Sequence, residues 1–85
     1  TLRINEMDDG RIIISDDSKT MQHLFLRDFE LNNERLNTIL MILNKLGLKL
    51  RENEIIAETT KKHFSRMFVN MISGINSVSS LTLRG

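Results

Sequence analysis

Apolar positions along this chain recur with two periods, and the change from one to the other divides it. From Leu2 to Met7 and from Arg11 to Ser15, β-prone residues flank Asp8-Asp9-Gly10, where an Asp-Gly pair accepts the positive φ of a tight turn. Ile12, Ile13 and Ile14 are stiff at χ1 and suit a strand. Residues 2–15 therefore read as a hairpin with at least one face laid against helices. Ser15-Asp16-Asp17-Ser18 next supplies N-cap side chains and early negative charge. Met21, Leu24, Phe25 and Phe29 follow at helical steps, so a first helix over Ser18 to Phe29 is the preferred reading. A strand through His23 to Leu31, with Phe25, Phe29 and Leu31 on one side, is the alternative.

The chain is organised around Asn33 to Ile75. Leu36, Ile39, Leu40, Leu43 and Leu46 recur at three- and four-residue steps, with Asn32 or Asn33 as cap and Gly47 as a left-handed stop. Leu40-Met41-Ile42-Leu43 makes this second helix apolar nearly all round, the mark of a central helix. Leu48 and Leu50 read as an apolar connection, and Asn53 as the cap of a third helix from Glu54 to Ile72. That helix carries Ile56, Phe64, Met67, Phe68, Met71 and Ile72 on its apolar side, and Glu58, Lys61, Lys62 and Arg66 on its wet side. Ser73-Gly74 weakens it. Leu81 to Arg84 is either a short edge strand returning to the hairpin or a frayed terminus.

The pattern gives a fold class of α+β, helix-dominated, with an N-terminal β-hairpin followed by three helices and room for a short C-terminal strand. All of it is expected in one domain over residues 1–85: hairpin 1–15, helical core 18–75, and tail or edge strand 76–85.

Composition narrows the function. An 85-residue chain without cysteine has neither disulfides nor thiolate metal sites to reinforce a small core. Association is the remaining way to enlarge it, and a homodimer through the second and third helices is expected. The net charge of +1 hides an asymmetry, with acids in excess over residues 1–32 and bases in excess beyond them. No apolar run approaches a membrane span and no signal peptide is evident, so an intracellular, cytoplasmic location is expected. The first residue is threonine, as expected for a segment of a longer protein.

Chemistry is sparse. His23 and His63 stand far apart, with no ligand spacing between them. His63 reads as a partly buried structural histidine. Ser18, His23 and Asp28 are five residues apart and cannot converge from one helix. Asp8-Asp9 and Asp16-Asp17 are explained by a turn and a helix start. No phosphate-cradling glycine loop is present. The chain reads as non-enzymatic, with no catalytic residue, cofactor or metal.

Phe25 to Glu30 with Leu31 as a strand, Leu36-Asn37-Thr38-Ile39 in a helix, Gly47 at a turn, and Ile55-Ile56 opening a second helix resemble the ribbon-helix-helix family of dimeric DNA-binding repressors. The resemblance runs from Phe25 to about Met71. It implies a strand pair inserted in the major groove, with Leu26, Asp28 and Glu30 facing outward; two of these are acids where basic or amide side chains are wanted. A second placement takes Arg11 to Ser15 as the ribbon. A helix-turn-helix placement around Gly47 uses Ile42, Leu46, Leu48 and Ile56, although Leu43 is bulky for its place there. It brings Lys49, Arg51, Lys61, Lys62 and Arg66 to duplex DNA, chiefly its phosphates.

The leading expectation is a helical protein–protein interaction or oligomerisation module in a regulatory or assembly process. Its interaction residues are Leu36, Ile39, Leu40, Leu43, Phe64, Met67, Phe68 and Met71. The partner is a second copy, another protein, or both. A dimeric DNA-binding regulator is the alternative.

Overall fold

The computed structural model describes residues 2–81. Strands β1 (Arg3–Glu6) and β2 (Arg11–Ser15) come first, then helices α1 (Lys19–Leu26) and α2 (Asn33–Lys45). Strands β3 (Lys49–Arg51) and β4 (Glu54–Thr60) follow, and a 3₁₀ turn (Lys61–His63) leads into helix α3 (Phe64–Ser79). The strands form one antiparallel sheet in the order β1-β2-β4-β3.

The expectation of a hairpin followed by three helices is corrected by this sheet. Lys49–Arg51 and Glu54–Thr60 are a second hairpin in mid-chain, where the pattern placed a connection and the first two turns of the third helix. The reason lies in Glu52 and Asn53. Both adopt positive φ, 53° and 81°, the pair of left-handed residues that a two-residue type I′ hairpin loop requires. Asn53 is thus a turn residue and not a helix cap. Ile55, Ile56, Thr59 and Thr60 are β-branched and pack well on a pleated surface. The central strand β4 pairs Ile12 with Thr59 and Ile14 with Ala57 across β2, and Ile55 with Leu50 across β3.

Opposite residues in a ladder share a face, so Ile12, Ile14, Leu50, Ile55, Ala57 and Thr59 form one side of the sheet. Met21 and Leu24 of α1, Ile39 and Leu43 of α2, and Met71 and Val78 of α3 complete a single core against that side. The other side carries Arg3, Arg11, Ser15, Glu54 and Glu58, joined in part by ion pairs: Arg3 with Asp17 at 3.2 Å and Glu54 at 3.1 Å, and Arg11 with Asp9 at 2.8 Å and Glu58 at 3.2 Å.

Buried Asp16 ties the N-terminal half to the second hairpin. Its carboxylate accepts the backbone N–H groups of Ser18 at 2.9 Å, Thr20 at 3.1 Å and Ile55 at 3.0 Å. It does the work of an N-cap for α1, since Ser18 itself makes no side-chain cap. The first helix is shorter than the expected Ser18 to Phe29 because Asp28 takes a left-handed conformation, φ 59°. The chain turns there, and Phe29 comes back to donate its N–H to the Leu24 carbonyl at 3.0 Å.

Helix α2 lies close to its expected span, with the Asn32 side chain accepting the Arg35 N–H at 2.8 Å. Helix α3 passes through Ser73-Gly74 and does not stop at Ile72. Gly74 is where Leu43, Leu46 and Leu48 press on α3, and a Cβ there would stand 2.5 Å from Leu48 Cδ1. Close packing explains this glycine, and no helix stop is needed. Of the expected closing strand at Leu81 to Arg84, Thr82 to Arg84 lie outside the described residues, and Leu81 packs against the core.

Candidate docking groove

Helix α2 has more apolar surface than the core can take. Ile39 and Leu43 point inward and are buried, whereas Leu40 and Met41 remain 41% and 61% exposed. On a helix, Asn37, Leu40, Met41 and Asn44 share a face, and this face stands beside Leu48 and Leu50 of the following strand region. Together they line an open groove of about 660 Å³ between α2 and β3. Asn37 and Asn44 line it one helical turn before and after the two apolar residues. Among the described residues β3 pairs with β4 only, so the sheet ends there beyond Leu50. The groove therefore runs alongside backbone N–H and C=O groups that have no strand partner among the described residues.

A second feature lies where β4 ends. Two smaller hollows, about 360 and 350 Å³, share Glu58, Thr59 and Thr60. One adds Arg11, Gly47 and Lys49, and the other His63, Arg66 and Met67. Arg11 is committed here. Its N–H and guanidinium both bind Asp9, which holds that carboxyl below the usual aspartate range, chiefly through the backbone N–H. Glu58 and Asp9 in turn raise Arg11 above its ordinary value.

The structure separates the residues expected at an interaction surface. Ile39, Leu43 and Met71 belong to the core, and Leu36, Phe64, Met67 and Phe68 are half-buried. Leu40 reaches the surface, in the groove. Of the residues expected at DNA, Lys61 pairs with Glu6 at 3.4 Å. Lys49, Lys62 and Arg66 are exposed near the C-terminal end of β4, and Arg51 stands at the other end of β3, beside the Glu52-Asn53 turn. His63 is exposed and caps nothing with its side chain, contrary to the expected partly buried histidine.

Of the segments that carry the ribbon-helix-helix resemblance, Leu36 to Ile39 lie in α2 and Ile55-Ile56 in β4. Residues 25–31 are the end of α1 and a loop, Arg11–Ser15 is an interior strand paired on both edges, and Gly47 joins a helix to a strand. Among the described residues no group of three or more histidine, aspartate or glutamate side chains is arranged to hold a metal ion. Nor is any helix long and apolar enough to cross a membrane.

Met41, Leu48, Leu50, Asn37 and Asn44 were not singled out by the sequence pattern as site residues. The usable signals were Met41, an apolar residue outside the Leu36-to-Leu46 stripe, and the Leu-Lys-Leu alternation at 48–50, which has the period of a strand.

These features define a small two-layer α+β domain, with helices on one side of a four-stranded antiparallel sheet and an apolar groove at one sheet edge. Residues 1–78 match the family model described as a domain of unknown function, DUF1828, and the chain belongs to that family. Comparison with curated proteins and with solved structures gives no match.

Proposed function

We propose that this domain is a non-enzymatic protein-interaction module whose docking site is the groove between α2 and β3. The observation that carries this reading is the exposure of Leu40 and Met41 beside Leu48 and Leu50, next to a strand edge unpaired among the described residues. Apolar side chains in a concave strip gain from being covered, at about 25 cal/mol per Å² removed from water. A free strand edge adds backbone hydrogen bonds to whatever covers them. Selection of a random displayed peptide library on the immobilised domain, counter-selected on Met41→Glu, tests the assignment. Peptides that bind the native domain and lose binding to the variant are expected; a selected pool indifferent to Met41 would remove the groove from consideration.

A second reading is favoured by Lys49, Lys62 and Arg66, which have no ion pair among the described residues and lie near the C-terminal end of β4. Such a surface attracts phosphates, and a nucleic-acid complex formed there weakens steeply with salt. Fluorescence anisotropy with random duplex DNA at low and high salt tests it. Binding abolished by Lys49→Ala/Lys62→Ala/Arg66→Ala supports a nucleic-acid role, and the absence of binding at low salt refutes it.

A further inference from the structure

The two free edges of the sheet differ in what their charges already hold. On β1, Arg3 is bound to Asp17 and Glu54, and Glu6 to Lys61. On β3, Lys49 and Arg51 are exposed and make no ion pair among the described residues. The acid directly across from Arg51 is Glu54, and Glu54 is occupied by Arg3 and by the Ser15 hydroxyl. Strand alternation puts Lys49 and Arg51 on the outer side of the sheet and Leu50 on the groove side, with Leu40 and Met41 beyond it. The edge thus presents cation, apolar, cation, with the apolar position opening into the groove.

From this alternation we infer that the groove takes an extended segment of another protein, which adds to β3 as a further strand and carries an acidic, apolar, acidic run. This rests on the docking reading given above and names its occupant. In the paired strand the two acids stand opposite Lys49 and Arg51, and the residue between them enters the groove against Leu50, Leu40 and Met41. Opposite charges facing across a ladder are favourable and like charges are not. That same rule argues against a second copy of this chain at this edge. A two-fold axis between antiparallel β3 strands sets Lys49 against Arg51, Lys49 against Lys49, or Arg51 against Arg51, so each symmetric register opposes cations.

The test uses fluorescein-labelled peptides with the central sequence Glu-Val-Glu or Lys-Val-Lys, flanked by Ser and Gly, titrated onto the domain by anisotropy. The acidic peptide is expected to bind at least about tenfold more tightly, the size of two cross-strand charge pairs changed from attractive to repulsive. Lys49→Glu, an exposed substitution whose fold is checked by circular dichroism, narrows or inverts that preference, and Met41→Glu weakens the acidic peptide. Equal binding of the two peptides, or a preference unchanged by Lys49→Glu, overturns the inference.

The library selection then separates the two levels. Selected peptides that depend on Met41 but lack acids leave the docking groove standing without its acidic strand. If no selected peptide depends on Met41, the groove and the strand fall together. Two further results also overturn the proposal: self-association of the domain that is lost in Met41→Glu, and duplex DNA binding that depends on Lys49 while neither peptide binds.

Discussion

Asp16 joins two parts of this fold through one buried side chain. A carboxylate taken out of water needs its lone pairs filled, and three backbone N–H groups fill them, two at the start of α1 and one on β4. Asp16→Ala leaves these donors unpaired and is expected to cost about 3 kcal/mol in a urea unfolding experiment; Asp16→Asn, which keeps one acceptor, costs about 1 kcal/mol. The run Ser15 to Ser18 was legible in the sequence as a helix start. The reach of Asp16 to Ile55, distant in the chain, was not, since only the folded sheet brings the two together. Asp9 gives a pH dependence of known sign. Its carboxyl is held below the ordinary value by the Arg11 N–H, so its contribution is complete above the ordinary aspartate pKa of about 3.9 and is lost as pH falls through that value towards the folded one. Comparing urea midpoints of native and Asp9→Asn protein should show a difference at about pH 6 that vanishes in acid.

At the level of elements, the first hairpin and α2 could be read from periodicity and turn chemistry because both are locally determined. The second hairpin could not. Ile55, Ile56 and the apolar residues after Phe64 share a helical spacing, and nothing in that spacing marks the break at Lys61. What distinguishes the strand is its β-branched content and the left-handed pair Glu52-Asn53, a local signal that the longer apolar pattern overrode. Helix α2 shows the same limit. Its sequence is apolar nearly all round, which marks it as central without showing which residues the domain itself covers. The structure divides them: Leu43 is 1% exposed and Leu40 is 41% exposed. Leu43→Ala is expected to destabilise the domain by about 2–5 kcal/mol, as for other buried leucines. Leu40→Ser should cost less than about 1 kcal/mol and leave the fold intact. A comparable loss from both substitutions, measured by chemical denaturation, would place Leu40 in the core and close the groove.

At the scale of the whole molecule, the side where β3 and α2 meet combines an apolar groove with two cations that have no ion pair among the described residues. The opposite sheet edge has its charges paired, and the outer sheet side is tied by Arg3 and Arg11. The surplus of bases in the later part of the sequence becomes two features in space: Lys49 and Arg51 along one strand edge, and Lys62 with Arg66 near the end of β4. Composition showed the surplus, but its division depends on a hairpin that the pattern did not reveal. The proposed role requires the α2–β3 groove to receive a partner chain. The most direct measurement is nuclear magnetic resonance of the ¹⁵N-labelled domain titrated with a library-selected peptide, followed by amide exchange in the complex. Shifts confined to Asn37–Asn44 and Leu48–Arg51 are expected, with slowed exchange of β3 amides. Shifts centred on Arg11 and Lys61–Arg66, with β3 exchange unchanged, would contradict it.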